Sequence, residues 1–385
     1  MVHVLALTLA ALALLWTAGA ALAQAPYRVG AIFSITGPGS SLGIPERDTA
    51  LMLEAEINGR GGIKGPDGQL HPLKLVIYDD ASDETRAVLA AKKLIDEDGV
   101  TAIVGTTLSG TSLAILDTVQ RAGIPTISCA AAAKIVEPAA ERKWVFKTPQ
   151  SDALIVGALV DHLRARGVTR VGWLNVDYAF GQLGWIEFEK AAKKAGLTVV
   201  ANEKFGQKDV DVTPQLVRVK GAGPEAVVVW SIPPSASIAT KNFADLGLKV
   251  PLFQSHGVGN RRFIELAGAA ANGVTFPAGK LLVAEQLPDD DPQKAVLLAY
   301  AREFESRYGP RNTFGGHAWD AVQLVVRALE KAGPDRAGVR AAIEGTRNFV
   351  GITGVFDFSP TDHNGLDRRA VTMIQVVDGQ WRLAR

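Results

Sequence analysis

Cysteine is almost missing from this chain: among 385 residues there is one, Cys129. No intrachain disulfide can form, and no cysteine lies near the N-terminus to carry a lipid. An excess of charge is missing too, with 41 Lys and Arg against 40 Asp and Glu and a formal net charge of +1. Without a long basic run, and with few aromatics beside the basic residues, nothing points to nucleic acid. The six histidines are scattered, with neither H-E-x-x-H nor another paired metal spacing. The acidic run Asp289, Asp290, Asp291 lacks the Gly and closing Glu of a calcium loop and reads as solvated loop. Neither a P-loop nor G-x-G-x-x-G follows any strand-like run, and GGIKG at 61–65 ends a helical pattern rather than opening one. The nucleophile-elbow spacing G-x-S-x-G does not occur around Ser109, and Cys129 sits in an alanine-rich stretch that suits an inert small residue. Hydrolysis by an activated nucleophile, nucleotide chemistry and metal chemistry all lack their parts. The expectation is a protein that binds without transforming, with no cofactor and a small partner.

What is present begins with the first residues, MVHVLALTLAALALLWTAGAALAQAP, which are apolar and free of acid. Ala21-Leu22-Ala23 before Gln24 has the small-x-small form of a signal-peptidase site, so residues 1–23 are expected to be a cleaved signal peptide and the mature protein a soluble periplasmic monomer. The n-region carries His3 but no Lys or Arg, which leaves open an uncleaved anchor, since about 20 apolar residues can span a bilayer. Roughly 360 residues remain after cleavage, enough for two domains that each bury a core.

Short apolar runs at 29–35, 73–78, 102–105 and 124–128 alternate with helical patterns such as 46–58 and 83–98, where apolar residues recur at spacings of three and four. A second series begins near residue 150, with strand-like 168–175, 197–203, 226–230 and 251–253 between helical 152–166, 184–195, 214–220 and 235–246. Alternation of this kind implies a parallel sheet covered by helices on both faces, here built twice. Three late helical patterns, 292–308, 315–332 and 335–344, have too few strands around them for a third sheet and are expected to return to the first lobe. The closing VTMIQVVDGQWRLAR reads as a hairpin with an Asp-Gly turn. The fold class is therefore α/β, two doubly wound parallel-sheet lobes joined by a three-crossing hinge. The expected boundaries are 27–148 plus 277–355 for lobe 1 and 149–276 plus 356–385 for lobe 2.

Residues 101–133 carry the strongest functional signal. A strand gives way to the hydroxyls of Thr106, Thr107, Ser109 and Thr111, then to a helix, a second strand and an alanine-rich loop. Unpaired N–H groups and the positive helix end would converge there on an anion, at the edge where open α/β sheets bind ligands. Ser109 alone is also compatible with simple helix capping.

The order of elements and a set of short motifs resemble the branched-chain amino-acid-binding (leucine/isoleucine/valine-binding) family of periplasmic ABC-transporter receptors. The motifs are VGAIFSITGPGSSLG, INGRGGIKG, YDDASD, IVGTTLSGTS, IPTISCAAAA, NVDYAFGQ, GLKVPLFQSHGVGN and FDFSPTDHNG. The resemblance covers essentially the whole mature chain and implies a two-lobed receptor that delivers a small carboxylate to ABC permease membrane subunits. It implies that the first lobe grips the carboxylate through the Ser109 hydroxyl and the backbone around Leu108, Ser109, Ala130 and Ala132, with Leu42 as a side wall. From the second lobe it implies Tyr178, Phe180, Ile232, Pro233 and His256. Trp230 faces either the cleft or the sheet interface, Ser40 and Ser41 either reach the ligand or cap the next helix, and His317 reads as structural.

Departures from the family pattern bear on the ligand. His256 stands where amino-acid-binding members carry an acid for the α-ammonium, Ala132 where they carry a hydroxyl, and Phe180 where they carry Tyr. These changes imply a carboxylate without an ammonium and with a hydrophobic body, such as a benzoylformate-like or phenylpyruvate-like acid, nearest the aromatic-carboxylate-binding subgroup. The alternative is a branched-chain or other hydrophobic amino acid or amide, for transport or sensing, with Asp177 or Glu285 as the ammonium partner.

Overall fold

The computed structural model describes residues 24–384, so the expected signal peptide at 1–23 lies outside the described residues. Side chains alternate along β1 (Tyr27–Phe33): Val29, Ala31 and Phe33 enter one apolar cluster, and Ile32 enters another on the opposite face. Gly30 permits the close approach of a helix on that second face, because a Cβ there would lie 2.7 Å from Leu94 Cδ1. A strand buried on both faces needs a layer on each, and the following elements supply them. They are α1 (Ser40–Gly59), β2 (Ile63–Lys64), β3 (Leu70–His71), β4 (Leu73–Asp79), α2 (Glu84–Asp96), β5 (Ala102–Gly105), α3 (Ser109–Ala122), β6 (Thr126–Ser128) and β7 (Val145–Lys147). The sheet runs β4-β1-β5-β6-β7 with every pair parallel, while β2 and β3 form a separate antiparallel pair.

The second lobe repeats the plan with α4 (Asp152–Ala165), β8 (Arg170–Val176), α5 (Ala179–Ala195), β9 (Thr198–Phe205), α6 (Thr213–Gly221), β10 (Ala226–Trp230), α7 (Ser235–Asp245), β11 (Leu252–Gln254), α8 (Arg261–Ala267) and β12 (Thr275–Ala278). In β10, Val227 and Val229 face one cluster and Ala226, Val228 and Trp230 the other. Each of the three fully buried valines contributes on the order of 1.5–3 kcal/mol over an exposed one. The chain then returns as α9 (Lys294–Tyr308), α10 (Thr313–Ala332) and α11 (Arg336–Glu344), and α10 lies against α1 of the first lobe. The short pair β13 (Phe349–Val350) and β14 (Val355–Phe356) precedes the terminal hairpin β15 (Thr372–Val377) and β16 (Gln380–Leu383). That hairpin joins the second sheet antiparallel, giving the order β16-β15-β12-β11-β10-β8-β9.

Both sheets place their first strand between their second and third, so strand order reverses at β1/β5 and at β8/β10. Those switch points are where open α/β sheets leave a crevice beyond the carboxyl ends of the strands.

Several boundaries differ from expectation. The first helix begins at Ser40 rather than near residue 46, with Pro45 inside it. The whole of β12, including Pro277, belongs to the second sheet. Phe356, Phe358 and Leu366 pack in the first core, so the last return to the second lobe follows Leu366 rather than residue 355. The three crossings meet at Gln150: its Nε2 donates to the carbonyls of Thr353 at 3.0 Å and Ala370 at 2.9 Å. Gly279 belongs to the same knot, since a Cβ on it would stand 2.9 Å from that nitrogen.

Candidate functional site

The chain leaves β5 at Gly105 and enters α3 at Ser109, so residues 106–108 form the floor of the first-lobe half. Most of the hydroxyls there are consumed by the scaffold. Thr111 Oγ1 donates to Thr106 Oγ1 at 2.7 Å, Thr106 and Ser112 share a 2.8 Å bond, and Ser112 meets Ser128 Oγ at 2.8 Å, which sews the loop to β6. Thr107 donates to the buried carboxyl of Glu46 and accepts from the Ser34 amide at 2.9 Å. Burial pushes the Glu46 carboxyl well above the usual range.

Ser109 is different. The N-cap position belongs to Leu108, no side chain caps the helix, and the Ser109 hydroxyl has no hydrogen-bond partner among the described residues. The first helical bond is Ser112 N to Leu108 O, 2.9 Å, which leaves the Ser109, Gly110 and Thr111 amides without an acceptor. The capping reading of Ser109 is thus set aside by geometry. Ser40 and Ser41 do not cap α1 either, since Gly39 holds that position without a side-chain bond, and neither serine lines the cavity.

These groups open onto a narrow interlobe cavity with about 340 Å³ of non-atom space, part of it open to solvent. The structure brings Leu42, Leu108, Ser109 and Ala130 together from the first lobe with Tyr178, Phe180, Ile232 and His256 from the second. Two expected residues do not line it. Ala132 is fully buried and turned into the core beside Ile115 and Val119, and Pro233 is buried behind Ile232. The Ala130 amide is already committed to Ser128 Oγ at 3.1 Å. Six lining residues were not among those expected from the sequence: Cys129, Ala131, Pro149, Gly257, Phe314 and His317. Burial holds the Cys129 thiol well above its ordinary range, which suits a wall residue rather than a nucleophile.

The second-lobe half is an aromatic corner. Phe180 sits in the first turn of α5, which Tyr178 caps by backbone alone, and its ring lies 5.7 Å from Trp230 and 5.6 Å from His256. Trp230 also meets His256 at 5.7 Å with rings at 70° and backs the corner without lining the cavity. His256 follows β11, is 5% exposed, and has no partner on either ring nitrogen. Burial, helped by the positive field of Lys147, drives its pKa down to about 3, so the ring is neutral.

No acidic side chain lines the cavity among the described residues. Asp177 pairs with Lys204 at 3.6 Å and Glu285 with Arg311 at 2.6 Å, both away from it, so neither candidate ammonium partner reaches the site. Behind the wall, at the first crossing, stand two buried ionisable groups. Lys147 Nζ donates to Pro149 O at 2.7 Å, and Asp152 has both oxygens unpaired. Burial pushes Lys147 down and Asp152 up, each toward its neutral form. Groups that could hold a metal are absent among the described residues, and none of the helices there is long and apolar enough to cross a membrane.

The sequence pattern of the periplasmic binding protein family matches residues 26–380. The leucine-, isoleucine-, valine-, threonine- and alanine-binding protein of Pseudomonas aeruginosa is 27% identical over 329 residues, 84% of this chain and 83% of that protein. A Leu/Ile/Val-binding protein homolog of Brucella melitensis is 24% identical over 345 residues, 89% of each chain. Among solved structures, an extracellular ligand-binding receptor from Rhodopseudomonas palustris HaA2 superposes with a TM-score of 0.86 at 30% identity, covering 94% of this chain and 100% of its own. The branched-chain amino acid substrate-binding protein LivJ of Streptococcus pneumoniae, solved with isoleucine, shares the fold with a TM-score of 0.81 at 22% identity, over 94% and 99% of the two chains.

Proposed function

The chain belongs to the periplasmic binding protein family, and from that premise we propose that it is the extracytoplasmic receptor of an ABC importer of the branched-chain amino-acid type, taking a small hydrophobic carboxylate into its interlobe cavity. The observation that carries the proposal is Ser109: a buried hydroxyl with no partner, at a helix start whose first amides are free, facing apolar walls from both lobes. A carboxylate placed there receives charge-assisted bonds from the hydroxyl and the amides, and the helix end adds its positive field. Leu42, Leu108, Phe180, Ile232 and Phe314 then cover the hydrophobic body. Each lobe holds half of these groups, so the ligand favours the closed arrangement by its differential contacts, which is what a membrane partner senses. A leader at 1–23 that is cleaved on export, a periplasmic location and a monomer working with permease subunits complete the proposal.

For the group beside the carboxylate, the relatives support one reading and the cavity another. Proteins named for leucine, isoleucine and valine support a hydrophobic amino acid. A cavity without an acidic lining supports an aromatic or 2-oxo acid that carries no ammonium, because an unpaired buried ammonium costs several kcal/mol. Calorimetric titration of the mature protein with leucine, isoleucine, valine, their 2-oxo analogues and aromatic 2-oxo acids tests both. Binding confined to the amino acids sinks the second reading; binding of none of them sinks the receptor assignment.

A further inference from the structure

We propose that His317 is a specificity-determining residue: together with His256 it holds an uncharged oxygen beside the ligand carboxylate, the carbonyl of a 2-oxo acid or the hydroxyl of a 2-hydroxy acid. This rests on the reading of the cavity as a receptor site for small hydrophobic carboxylates. The two imidazoles come from opposite lobes, His317 from the second turn of α10 and His256 from the turn after β11. Both line the cavity, at 4% and 5% exposure. His317 is held firmly: its backbone carbonyl accepts from Thr148 Oγ1 at 2.9 Å, the Phe314 ring stands edge-on at 5.5 Å, and Gly316 beside it packs so closely that a Cβ would come within 2.5 Å of Ile352.

Three ring nitrogens in this pair, both of His256 and Nδ1 of His317, are buried without a partner. Buried polar groups left unpaired are costly, so they mark a position where something polar is meant to sit. A neutral imidazole offers one N–H and one lone pair. A ligand carbonyl takes an N–H from each ring, and a hydroxyl takes one N–H and gives its own hydrogen to the other ring. An ammonium could find a lone pair on each ring, but it fits less well because it brings a positive charge to a cavity whose lining offers no acidic side chain. It would also meet the surroundings that expel a proton from both rings, whose pKa values fall to about 3 through burial, with Lys147 acting on both and His256 acting on His317. An unsubstituted CH2 leaves every one of these nitrogens unpaired.

The test compares ligands that differ only at the second carbon: 4-methyl-2-oxopentanoate, 2-hydroxy-4-methylpentanoate, 4-methylpentanoate and L-leucine, with the matching phenylpropanoate series in parallel. Affinities are measured by calorimetry at pH 7.5 for the wild type, His317→Phe and His317→Gln. The wild type should hold the 2-oxo or 2-hydroxy acid on the order of tenfold more tightly than the unsubstituted acid. His317→Phe should erase that preference, read as the ratio of the two dissociation constants within the variant, and His317→Gln, which keeps a donor and an acceptor, should restore part of it. If His317→Phe does not fold by its thermal melt, His256→Phe takes its place in the same comparison. An amino acid that binds as tightly as its 2-oxo analogue, or a preference that survives the loss of the ring nitrogens, overturns the assignment alone. Failure of all eight compounds to bind removes the receptor reading together with it.

Discussion

Replacing Ser109 by alanine separates a ligand-binding hydroxyl from a structural one. The hydroxyl makes no hydrogen bond and α3 is capped by Leu108 without a side-chain bond, so the substitution deletes nothing the fold uses. Alanine in the first helical turn has a slightly better helix propensity, and the expected change in unfolding free energy is within about 0.5 kcal/mol. Affinity is a different matter. A hydrogen bond from a hydroxyl to a carboxylate contributes about 1.5–3 kcal/mol, which corresponds to roughly a 10- to 150-fold weakening of the dissociation constant. The assay pairs urea unfolding of the ligand-free protein with calorimetric titration of its tightest ligand. Thr111→Ala provides the opposite case, because Thr111 Oγ1 donates at 2.7 Å to Thr106 Oγ1 and lies 3.0 Å from the Leu108 carbonyl. That variant should lose about 1–2 kcal/mol of stability and less affinity than Ser109→Ala. A Ser109→Ala protein that is destabilised by more than about 1 kcal/mol, as loss of a cap would do, yet binds normally would refute the reasoning.

Acidification should weaken the protein through its two cavity histidines. Their folded pKa values are depressed to about 3 against about 6.5 unfolded, so their contribution is complete above pH 6.5 and is lost as pH falls from there toward 3. Each costs about 1.4 kcal/mol per pH unit in that window. Asp320, raised by burial to about 7, works in the opposite direction, losing its contribution as pH rises toward 7. The measurement is therefore the pH dependence of unfolding in the wild type minus that in His256→Phe, and a difference that stays flat between pH 6.5 and 5 contradicts it. Gly184→Ala places a Cβ 2.2 Å from Trp230 Nε1. It should cost about 1–3 kcal/mol and shift the Trp fluorescence, while an unchanged urea midpoint would mean that α5 can retreat freely. Cys129 should ignore thiol reagents in the native protein and react only upon unfolding, since it is buried and its thiol is pushed up; stoichiometric labelling of the native form would show that the cavity wall opens.

Much of the architecture could be read in the sequence because strands buried on both faces leave continuous apolar runs, and 226–230 or 102–105 admit few other readings. Elements that depend on tertiary partners were harder. β12 is four residues with Pro277 inside, and only pairing with β15 and β11 makes it a strand. α1 starts before Pro45, where local propensity argues for a later start. At the site, residues directly following strand ends were legible, which is why Leu108, Ser109, Phe180, Ile232 and His256 converge as expected. Ala132 failed because it is wholly enclosed in an apolar cluster that Ala130 also joins, and of the two only Ala130 reaches the cavity wall. Phe314 and His317 were missed for another reason: they sit at the start of a helix more than 200 residues beyond the βα loop 106–108, and only the packing of α10 on α1 carries them to the cavity. The hydroxyl loop also looked richer than it is, since Thr106, Thr107 and Thr111 bond to one another or to Glu46 rather than outward.

Gln150 ties all three interlobe strands of chain at one point, through the carbonyls of Thr353 and Ala370 and the close approach of Gly279. One side chain is thus the common partner of every crossing, and its loss would leave two buried carbonyls without a donor and loosen all three crossings together.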